Sequence, residues 1–150
     1  MIAWQYLDKT AATIAAMRDY GTMKFIIENT DSGINKVRDK MQSPRTSDTS
    51  ETRASPNSNI QQNFVEESMV RLDAMGERYR QARDYMTWFE PAWRSLSETD
   101  RRILQESYMN DNLRSGSTMH LADELSYSES HIKRLRQQAL ARMQGYLYGR

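Results

Sequence analysis

Leu121-Ala122-Asp123-Glu124-Leu125-Ser126-Tyr127-Ser128-Glu129-Ser130-His131-Ile132-Lys133-Arg134-Leu135-Arg136 reads as a helix, a break and a second helix. Met119, Leu121, Ala122 and Leu125 form the first, a short helix. Ser126-Tyr127-Ser128 is a tight connection, and Ser128 is a good N-cap. Beyond it Ile132, Leu135, Ala139, Leu140 and Met143 recur at helical spacing. So short a turn makes the helices cross steeply, and the small Ala122 lets their backbones approach.

Working upstream, Ser97-Glu98-Thr99-Asp100 is a helix start: Ser97 can cap, and two acids sit where the helix dipole favours them. Leu96, Ile103, Leu104 and Tyr108 form its apolar face, and polar Asn110 to Ser117, with Gly116, is a loop. Residues 94–150 are therefore predicted to form a three-helix unit ending in a helix-turn-helix. The last helix carries Glu129, Ser130, His131, Lys133, Arg134 and Arg136 off its apolar face, mostly at its N-terminal end. In a helix-turn-helix that end enters the major groove of double-stranded DNA. Arg and Lys donate to guanine or phosphate, Glu accepts from cytosine, and Ser serves either way. The candidate DNA-binding residues are Ser128, Glu129, Ser130, His131, Lys133, Arg134 and Arg136. Charge is distributed accordingly: from His131 to Arg150 there are five Lys and Arg and no acid, whereas 97–125 hold six acids. A plain three-helix bundle with a solvated basic face is the competing reading.

Residues 60–93 carry a heptad. Val65, Leu72, Tyr79, Met86 and Trp93 fall every seven residues, with Ser68, Met75, Ala82 and Phe89 three positions later. Pro91 is expected to kink or end this helix near Glu90. A narrow apolar seam needs a partner. Residues 1–41, also helix-prone, can fold back as an antiparallel hairpin, or a second subunit can fill the place, giving a homo-oligomer. Within 1–41, Ala11, Ala12, Ala15 and Ala16 favour helix, and Asn29-Thr30-Asp31-Ser32-Gly33 is a cluster of breakers at which the segment can divide in two. Between them, 42–59 is rich in Ser, Thr, Pro and Asn with Ala54 as its one aliphatic residue, the composition of a flexible linker.

The fold class expected is all-α. Only 38% of the 150 residues are hydrophobic, which suits helices that each bury one stripe. Net charge is +1, so nucleic-acid binding rests on where the charge lies. No cysteine is present, which removes disulfides, thiolate nucleophiles and Cys-based zinc sites. Two isolated histidines, no Gly-rich phosphate loop and no nucleophile elbow leave no catalytic residue, metal site or cofactor to nominate. No transmembrane run or signal peptide is read, so the expectation is a soluble cytoplasmic protein without a membrane partner.

Leu96 through Met143 resembles the region-4 helix-turn-helix of sigma-70-type factors. The likeness rests on a leading Leu, a charged first turn, the pair Ile103-Leu104, Tyr108, then Leu121-Ala122, Leu125, Ser128, Ile132 and Ala139-Leu140. The sequence departs from that pattern in a longer loop before Leu121 and in His120, where an acid is usual. With Trp88-Phe89-Glu90-Pro91-Ala92-Trp93 and the closing Leu147-Tyr148-Gly149-Arg150, residues 60–150 are also similar to small phage-encoded regulators of Gram-positive hosts, the RinA/ArpU-like group. The resemblance implies control of phage or prophage transcription in a bacterial host cell, with host RNA polymerase as a further partner. A protein-interaction module that docks without touching DNA, and a DNA-packaging recognition subunit, are the alternatives. The residues themselves place Trp88, Phe89 and Trp93 as packing between the long helix and the C-terminal unit.

Overall fold

The computed structural model describes residues 7–42, 58–110 and 116–149. These are helical almost throughout, with no strand among them: α1 (Lys9–Gln42), α2 (Ser58–Ser95), α3 (Glu98–Leu104) continuing into a π-helical turn (Gln105–Met109), α4 (Ser117–Leu125) and α5 (Glu129–Tyr148). The all-α expectation holds. Most of the segment read as a linker, residues 43–57, lies outside the described residues, as do 111–115 of the expected loop. Among the described residues no helix is long and apolar enough to cross a membrane.

α1 starts at Asp8, whose carboxylate accepts the Ala11 N–H at 3.0 Å. It then runs unbroken through Asn29–Gly33, contrary to the expected division. Two of the supposed breakers turn their side chains back onto the helix: Asn29 Nδ2 donates to the Phe25 carbonyl at 2.9 Å, and the Thr30 hydroxyl to that of Ile26. Gly33 is covered, since a Cβ placed there would lie 3.3 Å from the Met75 Cε of α2. Tertiary contact outweighs glycine's cost of roughly 1 kcal/mol.

α2 likewise passes through Pro91 and ends at Ser95, beyond the expected stop. The proline removes one backbone donor, but Phe89 and Ala92 on either side of it are buried at 0% and 6% exposure. That packing holds the last turn in register, helped by the Ser95 hydroxyl donating to the Pro91 carbonyl and by the Arg94–Glu90 ion pair. The heptad is visible in the burial: Ser68, Ala82 and Phe89 are buried, and Leu72, Met75, Tyr79, Met86 and Trp93 are half-buried. Val65 is exposed.

The chain divides into two compact units. The first comprises residues up to Lys24 together with Asp84–Arg150. Its main core joins Ala16 and Met17 of α1, Phe89 and Ala92 of α2, Leu96, Leu104, and Ala139, Leu140, Met143 and Leu147 of α5. Helices α3 and α5 therefore share one core with residues that precede the expected boundary at 94. Phe89 is its centre, flanked by Tyr85 and Trp93 with ring centroids 5.2 and 5.9 Å away. Trp88 lies edge-on to Tyr148 and donates its indole N–H to the Leu147 carbonyl at 3.3 Å, so the aromatic run is packing against α5, as expected. Tyr85 donates its hydroxyl to the Ala16 carbonyl, and burial pushes its pKa up. The second unit, Phe25–Arg83, is the remainder of α1 and α2. Among its described residues Val37, Ser68 and Ala82 are buried.

Candidate nucleic-acid interface

The local chemistry of α4, its turn and α5 follows the sequence closely. Ser126 closes α4 in the left-handed region at φ 58°, and the Tyr127 N–H donates back to the Ala122 carbonyl at 3.0 Å. Ser128 is extended at ψ 154°, and its hydroxyl accepts the His131 N–H at 3.2 Å. That is the N-cap of α5. Leu121 and Ile132, both fully buried, meet Ile103 and the small Ala122 in a second core, with Leu125 and Leu135 packed against it. Met119 of the same helix is 62% exposed.

Polar clamps fix α4 and α5 upon α3. Arg102 forks onto Glu124 of α4 at 2.9 and 2.8 Å and reaches Glu106 at 2.7 Å. These contacts hold the Glu124 carboxyl below its ordinary pKa and raise that of the guanidinium. His120 lies 3.7 Å from Glu124. Arg142 of α5 donates to Asp100 at 2.6 Å, and the Asp100 side chain is only 6% exposed. Arg136 donates to the Thr118 hydroxyl of α4, with its Nε buried and without a partner.

The candidate residues separate by this geometry. Ser128 spends its hydroxyl on the cap. Arg136 is half-buried between α4 and α5. His131 is half-buried, with its ring edge-on to Tyr127 at 4.7 Å. Glu129, Ser130, Lys133 and Arg134 are exposed in the first two turns of α5. Of the basic run, Arg136 and Arg142 are architectural, and Arg150 lies outside the described residues. Lys133 and Arg134 make no ion pair among the described residues.

Sequence reasoning missed three exposed neighbours: Tyr127 in the turn, and Gln137 and Gln138 on the next turn of α5. The signal was available. Ser130, Lys133 or Arg134, and Gln137 recur at three and four residues, so they share a face. That face presents hydroxyl, amide, ammonium and guanidinium groups, a set that can donate to base edges and phosphates. Comparison with known proteins finds no matching family model, no matching curated protein and no matching solved structure.

Proposed function

We propose that this chain is a DNA-binding transcription regulator whose helix α5 enters the major groove. One observation carries the reading. Lys133 and Arg134 project from the first two turns of α5 beside Ser130 and Gln137, while the opposite face of that helix holds Ile132, Leu135 and Ala139 in the cores. Lys133 and Arg134 supply phosphate or guanine contacts, and Glu129, Ser130 and Gln137 supply selectivity. His131 is held by Tyr127, Ser128 caps the helix, and Arg136 ties it to α4. These three set the angle at which the helix is offered and leave the contacts to their neighbours. The resemblance to small phage regulators supports a phage or prophage promoter as the target, in the cytoplasm of a bacterial host.

The test is binding of a genomic fragment library by the whole protein, followed over a salt series. Arg134→Ala and Lys133→Ala should each weaken binding by about 1–3 kcal/mol if the lost contact is to a base, or lower the salt slope by about one unit if it is to a phosphate. A double variant that binds as the native chain does would refute the assignment. Capture of RNA polymerase with no DNA binding at any salt would replace it with the docking reading.

A further inference from the structure

The exposed side of α5 is sorted by position around the helix as well as by charge. At about 100° per residue, Ser130, Arg134, Gln137 and Ala141 fall within about 60° of one another, and the centre of that row stands opposite Ile132 and Ala139, both fully buried. Lys133 stands about 70° to one side of the row and Gln138 about 70° to the other. All six outward residues are exposed. Within the row, the two long side chains, Arg134 and Gln137, lie between two small ones, Ser130 and Ala141. Neither long side chain is bonded to another group among the described residues. Small residues at both ends let the helix settle deep in a groove, with the two long side chains aimed at its floor.

On the reading of α5 as a major-groove helix, on which this rests, we infer that Arg134 and Gln137 read a guanine and an adenine in adjacent base pairs, while Lys133 and Gln138 hold phosphates on opposite walls. A guanidinium fork matches guanine O6 and N7, and a terminal amide matches adenine N6 and N7, so each pair is bidentate and discriminates. Three residues of helix advance about 4.5 Å along the axis, nearer to one base-pair step of about 3.4 Å than to two. The major groove is about 12 Å wide and a helix with its side chains about 10–12 Å across. Residues well off the centre of the row therefore meet the walls, not the floor. The Lys133 ammonium is a point charge suited to a phosphate, and the Gln138 amide can donate to one.

The test is selection of duplexes from a random library by the whole protein, repeated with variants and followed by binding over a salt series. The native chain should enrich sites with a guanine and an adenine in neighbouring pairs. Arg134→Lys keeps the charge and loses the planar fork. It should remove the guanine preference, a factor of about 5 to 150, and leave the adenine preference and the salt slope as they were. Gln137→Ala should remove the adenine preference alone, by a similar factor. Lys133→Ala should keep the enriched site and lower the salt slope by about one unit. All three positions are exposed, so helical circular dichroism should match the native chain and separate lost contacts from lost fold. An enriched site that neither Arg134→Lys nor Gln137→Ala alters would overturn the inference and leave DNA binding standing. Binding without sequence preference, preferred bases two or more steps apart, or a Lys133→Ala protein with a changed site would do the same. A native chain that retains no duplex even at low salt would overturn both this assignment and the reading beneath it.

Discussion

Arg142→Met tests whether the basic run of α5 is contact surface or scaffold. Arg142 Nη1 lies 2.6 Å from Asp100 Oδ2, with the Asp100 side chain 6% exposed and that of Arg142 51% exposed. A wholly buried pair broken on one side costs about 3–5 kcal/mol, and an exposed pair about 0–1. With one buried and one half-exposed member, about 2 kcal/mol is expected. The position of Asp100 in the first turn of α3 limits the loss, because the helix dipole still favours the stranded carboxylate. Methionine keeps the aliphatic stem, so packing is largely preserved. Urea unfolding at neutral pH, followed by helical circular dichroism, should show this loss for Arg142→Met and a smaller one for Asp100→Asn. The double variant should recover about 1 kcal/mol relative to additivity. A coupling below about 0.3 kcal/mol would refute the clamp. So would an Arg142→Met protein that keeps full stability but loses one unit of salt slope on DNA, since Arg142 would then be a phosphate contact.

Other perturbations report on the remaining joints. Tyr85→Phe should cost about 1 kcal/mol in urea unfolding by removing the hydroxyl bond to the Ala16 carbonyl. Because burial raises the folded pKa of Tyr85, its contribution is full below the unfolded value of about 10 and is lost as pH rises past it; the phenylalanine variant should show a shallower alkaline loss in a pH series. Glu124 behaves oppositely: its folded pKa is lowered by Arg102, so its contribution is present above the ordinary carboxylate range and lost as pH falls through it. Glu124→Gln should therefore flatten the acid limb of the same series. Ser126→Gly should stabilise by about 0.5–1 kcal/mol in thermal or urea unfolding, since glycine takes the left-handed φ of 58° without strain.

What the sequence revealed was what depends on near neighbours. Ser97 and Ser128 could be read as caps because the N–H groups they accept, those of Asp100 and His131, are three residues away. The α2 heptad could be read because burial follows periodicity along a single helix. Most of the departures involve distant residues. Gly33 signalled a break, yet Met75 covers it from another helix. Pro91 signalled a stop, yet Phe89 and Ala92 are clamped in a core that includes Met17 and Met143. Arg136 was grouped with Arg134 by charge, yet it stands about 200° from it around α5, and Thr118 on α4 captures it. Spacing separates the two guanidiniums; which group Arg136 meets was decided by the crossing of α4, which spacing could not supply. Residue composition likewise could not say that the C-terminal helices borrow part of their core from α1.

That borrowing has a consequence in time. Met17 is fully buried in a core otherwise built from α2, α3 and α5, and Thr10 bonds Gln144 across 134 positions of chain. Synthesis runs from the N-terminus, at about 5–20 residues per second, so α1 emerges many seconds before α5 exists to receive it. Through that interval Ala16 and Met17 wait on an unfinished stripe. The unit can close only after Leu147 has been added, by a contact of the longest range and therefore of the slow kind. Helix α1 is made before α5, and its share of that core stays uncovered until α5 arrives.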